Sequence, residues 1–69
     1  MKNLGDKLKE LRTEKRMTCQ AVATAVGLTK NAITNYESGI REPSLETLKK
    51  LCDFFDVTAD YLIGRTDSY

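Results

Sequence analysis

Histidine and tryptophan are absent from this 69-residue chain, proline occurs once and cysteine only twice. Without histidine the commonest general base is missing. Cys19 and Cys52 cannot form the clustered Cys/His set that a zinc site needs, nor a disulfide framework. They read as two reduced thiols. No apolar run approaches the roughly 18 residues of a membrane span. The N-terminal segment MKNLGDKLKELR is charged and amphipathic, unlike a secretory leader. The expectation from these absences is a cytoplasmic protein that is not an enzyme, with no metal, no cofactor and no membrane partner.

What is present suffices for one domain over residues 1–69, near the small end of chains that fold without staples. The net charge of +1 conceals a polarity. Residues 1–41 hold eight Lys/Arg against four Asp/Glu, whereas residues 42–69 hold three against six. A basic half and an acidic half would orient the molecule on a polyanion.

Apolar periodicity predicts five short helices, about 4–15, 18–26, 29–38, 44–55 and 58–63, and no strand. Leu4, Leu8 and Leu11 form one stripe on the first, which stops at a break around Arg16–Met17. Thr18, Thr29, Ser44 and Thr58 suit N-caps, because a hydroxyl can accept a hydrogen bond from a free amide of the first turn. Gly27 suits the end of the second helix, where a left-handed residue without Cβ is favoured. The third helix ends near Ser38 within Glu37–Pro43, which combines glycine with the only proline and reads as a loop. Leu45, Leu48, Leu51, Cys52 and Phe55 line one face of the fourth helix. The fifth carries Tyr61 and Leu62 and ends at Gly64, leaving 65–69 without pattern as a frayed tail. Short connections between helices imply a compact all-α domain.

The stretch Cys19–Glu37, CQAVATAVGLTKNAITNYE, is the most informative. Val22, Ala23, Val26, Leu28, Ile33 and Tyr36 fall where two helices crossing at a tight turn would meet, with Ala23 and Gly27 at a close approach. The third helix has only Ala32, Ile33 and Tyr36 as apolar residues. A bundle with no partner gains little from so polar a helix, but such a helix can enter a groove. Lys30, Asn31, Thr34 and Asn35 face outward, and Asn31 and Asn35, four apart, share a face.

From Leu4 to Gly64 the chain resembles the lambda-repressor-like, Cro/repressor-type (XRE) helix-turn-helix domains. The resemblance rests on LKELRTEK, on AVATAVGLT at the turn, on ITNYESG ending helix three, and on REPSLETLKKLCDFFDVTADYLIG. It implies a five-helix domain in which helices two and three form the helix-turn-helix and helix three lies in the major groove. Carried over residue by residue, it implies base contacts from Lys30, Asn31, Thr34 and Asn35. Lysine suits guanine O6 and N7, and asparagine pairs with adenine N6 and N7. It implies phosphate contacts from Thr18, Gln20, Thr29, Ser38, Gly39 and Arg41, and a structural ion pair between Arg12 and Glu37. One departure stands out: the family usually has glutamine at the first position of helix two, where this chain has Cys19, with Gln20 following. A thiol at a helix start could make binding sensitive to oxidation.

The function implied is a sequence-specific transcriptional regulator, a repressor in the first instance, bound as a homodimer to a pseudo-palindromic double-stranded operator. Phe54, Val57, Tyr61 and Ile63 are the candidate dimer surface, with completion of the core as their other reading. The alternative is an antitoxin-like or protein-interaction module that uses the acidic C-terminal half. The small extent of chain beyond Gly64 favours the regulator.

Overall fold

Among the described residues, four of the five helices start at a side-chain cap and all five end on a left-handed residue. The computed structural model describes residues 3–66, in the order α1 (Leu4–Glu14), α2 (Cys19–Val26), α3 (Lys30–Ser38), α4 (Leu45–Phe55) and α5 (Ala59–Leu62). These bounds differ from the expected ones by a residue or so, because the caps now stand outside the helices. The Oγ1 atoms of Thr18, Thr29 and Thr58 and the Oγ of Ser44 accept the amides of Ala21, Ala32, Tyr61 and Thr47. The four predicted caps are all in place.

The helix ends share one device. After the last turn a left-handed residue lets the next amide reach back five positions to a free carbonyl. Met17 N–H donates to Arg12 O at 3.1 Å, Leu28 to Ala23 at 2.8 Å, Ile40 to Asn35 at 3.0 Å, Val57 to Cys52 at 3.0 Å and Arg65 to Asp60 at 2.8 Å. The left-handed residues are Arg16, Gly27, Gly39, Asp56 and Gly64. Arg65, expected in a frayed tail, is therefore tied to α5. Residues 67–69 of that tail lie outside the described residues.

The stripes converge on one core: Leu4, Leu8 and Leu11 from α1, Val22, Ala23 and Val26 from α2, Ile33 and Tyr36 from α3, and Leu48, Leu51, Cys52 and Phe55 from α4. Val57, Tyr61 and Leu62 close it. Burying each large side chain contributes about 1.5–3 kcal/mol, and among the described residues no buried side-chain polar atom lacks a partner. The all-α architecture of five helices among the described residues is as expected.

Three expectations fail. Leu45 is not on the α4 stripe but 81% exposed. It is the first residue after the Ser44 cap, and it stays in solvent while Leu48, Leu51, Cys52 and Phe55 are buried. Glu37 and Ser38 belong to α3, in line with the expected helix 29–38, so of the Glu37–Pro43 loop reading only the part from Gly39 onward holds. Gly27 is not a point of close approach either, since a Cβ built there meets nothing within 4 Å. Its positive φ of 74° is what requires glycine. The close approach is at Gly5 in α1, where a Cβ would overlap the backbone carbonyl of Glu37 and lie 2.8 Å from that of Tyr36.

Candidate nucleic-acid interface

The interface candidate is built from α2, the turn Gly27–Thr29 and α3. Val22, Ala23 and Ile33 are fully buried at the crossing, and Tyr36 anchors the far end of α3. These contacts turn the polar residues of α3 outward. Lys30, Asn31 and Thr34 are exposed and Asn35 is half-buried. Among the described residues, none of these four side chains takes part in a hydrogen bond or ion pair. Their donors and acceptors face solvent without internal competition.

The residues expected at phosphates divide. Thr18 and Thr29 use their oxygens as cap acceptors, at 3.0 and 3.2 Å, which leaves each hydroxyl proton available to donate. Gln20 Nε2 donates to Thr24 Oγ1 at 3.2 Å, and Ser38 Oγ donates to the Asn35 carbonyl at 3.2 Å. The Gly39 amide donates to Tyr36 O at 3.3 Å, so this glycine closes a helix rather than offering a free N–H. Arg41 is exposed. Cys19 is half-buried and packs against the core, so the residue that departs from the family pattern sits partly inside α2's contact with the rest of the domain.

Behind this face Arg12 joins three segments. Its Nε donates to Glu37 Oε2 at 2.7 Å and Nη2 to Oε1 at 3.1 Å, while Nη1 donates to the Met17 carbonyl at 2.8 Å. The two side chains are 15% and 10% exposed. The hydrogen bonds to Glu37 hold the guanidinium above its ordinary pKa, against an opposing push from burial, with the charge of Glu37 adding to the rise. The expected ion pair is present. The Met17 carbonyl is not legible from sequence, because a backbone acceptor leaves no residue signature.

The candidate dimer residues also divide. Val57 and Tyr61 lie in the core, the latter with Lys7 Nζ 4.6 Å from its ring centroid. Phe54 and Ile63 are half-buried. Phe54 meets Phe55 edge to face at 4.9 Å, has Lys15 Nζ 5.7 Å from its ring, and borders a shallow groove with Ala25, Val26, Lys50 and Asp53.

A helix-turn-helix family profile matches residues 8–62, from the α1 stripe to the end of α5. The chain belongs to the helix-turn-helix family. Its domain is 48% identical over 60 residues to the HTH-type transcriptional regulator AnsR of Bacillus subtilis, covering 87% of this chain and 52% of AnsR. It is 34% identical over 64 residues to the cryptic phage CTXphi transcriptional repressor RstR of Vibrio cholerae, covering 93% of this chain and 58% of RstR. This helix-turn-helix chain thus spans about half the length of the curated relatives it matches. Among solved structures it is similar to the P22 c2 repressor in complex with a synthetic operator, with TM-score 0.86, 25% identity and 91% and 96% of the two chains covered. It is also similar to the N-terminal DNA-binding domain of SinR from Bacillus subtilis, with TM-score 0.80, 26% identity and 87% and 88% covered. Membership of this family agrees with the expectation that the domain is not an enzyme. Among the described residues no helix is long and apolar enough to cross a membrane.

Proposed function

We propose that this domain reads a short double-stranded DNA sequence by laying α3 in the major groove, as the DNA-binding part of a transcriptional regulator, in the first instance a repressor. The observation that carries the reading is the set of outward side chains on α3 with no partner among the described residues, Lys30, Asn31, Thr34 and Asn35. With its side chains an α-helix is about 10–12 Å across, which suits a groove about 12 Å wide. The regulators and repressors it resembles support the same reading.

Lys30, Asn31, Thr34 and Asn35 meet base edges in this account. The hydroxyls of Thr18 and Thr29, the second amide proton of Gln20, and Arg41 meet phosphates, with Ser38 and Gly39 shaping the loop. One domain covers only a few base pairs, so a homodimer on a pseudo-palindrome follows, with half-sites about 34 Å apart. The longest dimension of the domain is 27 Å, so two copies fit side by side on one face of the duplex. Phe54 and Ile63 are the apolar residues of the candidate dimer set that remain partly accessible.

Selection of bound duplexes from random DNA tests the proposal. The expected result is a symmetric consensus; absence of any binding to duplex DNA at low salt would overturn it.

A further inference from the structure

The end of α3 rests on the start of α1 with no side chain between them. A Cβ on Gly5 would overlap the Glu37 carbonyl and come within 2.8 Å of the Tyr36 carbonyl. Both are backbone atoms of the last turn of α3, so they cannot swing aside as a side chain could. The start of α1 has nowhere to retreat. Leu4 is buried beside Gly5, and Lys7 lies over the ring of Tyr61 in α5. The ends are also electrostatically matched, because the amide-rich start of one helix meets the carbonyl-rich end of another. Asn3 makes no side-chain cap of its own at that start.

We infer that Gly5 is a positioning residue for DNA reading: by letting α1 touch the backbone of α3, it sets the tilt at which α3 presents Asn31, Thr34 and Asn35. This rests on the DNA-reading proposal above. A methyl group at residue 5 must gain more than half an ångström from the Tyr36 carbonyl to reach ordinary van der Waals separation, about 3.5 Å. The displacement falls on α3, pivoting about the buried Ile33. Hydrogen bonds to base edges tolerate only about 2.7–3.2 Å, so a shift of that size breaks them. Phosphate contacts from long side chains adapt to it. Gly5 therefore acts on discrimination between sequences more than on attraction to DNA.

The test is Gly5→Ala, compared with wild type and with Cys52→Ala, a core change in α4 away from this contact. Each protein is titrated with a duplex selected by the wild-type chain and with an unrelated duplex of equal length, across a salt series. The inter-helix orientation is read from residual dipolar couplings without DNA. The expected result is a folded Gly5→Ala protein whose preference for the selected duplex drops about tenfold or more. Its salt dependence and its affinity for the unrelated duplex stay as in wild type, α3 is reoriented, and Cys52→Ala keeps the wild-type preference. An unchanged preference overturns the inference. So does an equal loss on both duplexes with a shallower salt slope, which would mark a lost phosphate contact. Failure of Gly5→Ala to fold overturns it too, since the glycine would then serve folding alone. If wild type selects no duplex, the DNA-reading proposal has failed by itself, and the orientation measurement still decides whether residue 5 sets the tilt of α3.

Discussion

Arg12 and Glu37 form a two-pronged pair, Nε–Oε2 at 2.7 Å and Nη2–Oε1 at 3.1 Å, that ties the last turn of α3 to α1. Because both side chains are largely shielded from water, the value of the pair lies less in attraction than in what its rupture leaves behind. A lone guanidinium or carboxylate at that position would be charged, poorly hydrated and without its partner. Glu37→Ala should therefore destabilise the domain by about 2–3 kcal/mol, a fall in melting temperature of about 10 °C or more for a chain of this size. Thermal denaturation followed by circular dichroism checks it, and a loss under about 0.5 kcal/mol, the level of an ordinary surface substitution, would sink the idea.

Base and phosphate contacts should separate in binding assays. Asn31→Ala and Asn35→Ala should each cost about 1–3 kcal/mol on the selected duplex and relax preference at one position. Arg41→Ala should weaken all duplexes alike and reduce the slope of log affinity against log salt by about one. Equal behaviour of the three variants would contradict the division of roles.

The left-handed helix ends predict opposite signs for two substitutions. Gly27→Ala introduces no clash but puts a Cβ at φ 74°, and should cost about 1 kcal/mol. Arg16 already occupies that region at φ 56°, so Arg16→Gly should be neutral or stabilising by up to about 1 kcal/mol. Urea denaturation of both variants measures the pair, and a large loss from Arg16→Gly would show that its side chain matters more than its backbone.

Two leucines three positions apart should behave as different residues. Leu48→Ala opens the core and should cost about 2–5 kcal/mol. Leu45→Gln, at an 81% exposed site, should stay within about 0.5 kcal/mol of wild type. Comparable losses would mean that Leu45 has a covering partner in solution.

Burial, with a smaller push from the charge of Asp53, raises the Cys52 thiol above its ordinary pKa. The folded chain then keeps this proton to higher pH than the unfolded chain does. The resulting contribution to stability is complete below the unfolded thiol's pKa, about 8.5, and is lost as pH rises from there through the folded value. The stability difference between wild type and Cys52→Ala should shrink as pH rises from about 8 to about 10. A difference that is constant across that range would refute the buried-thiol account.

Much of the fold is legible because its signals are local. A hydroxyl before an apolar run and a glycine after it are readable one residue at a time, so Thr18, Thr29, Ser44, Thr58 and Gly27 can all be placed at their caps. The Arg12–Glu37 pair is legible through family resemblance rather than through physics, since nothing in a sequence says that positions 12 and 37 touch. Gly5 leaves a faint signal: a glycine inside a helical pattern weakens that helix unless packing requires it. What it packs against is the backbone of a distant segment, which no residue type announces. Leu45 misleads for the reverse reason. Its identity suggests a buried face, but its place one step after a cap leaves it in solvent. At the candidate interface, the outward residues of α3 can be read from spacing. Which hydroxyls and amides are already engaged, as in Ser38 and Gly39, depends on geometry that only the folded chain supplies.

The nine residues of α3 bury only Ile33 and Tyr36 in the core. The rest of the domain therefore places almost no demand on what stands at positions 30, 31 and 34. Substitutions there can change the message read without endangering the scaffold that carries it. A new preference can arise by single steps, each passing through a folded intermediate. The same separation makes those three positions the natural ones to randomise in a library, with the scaffold left as it is.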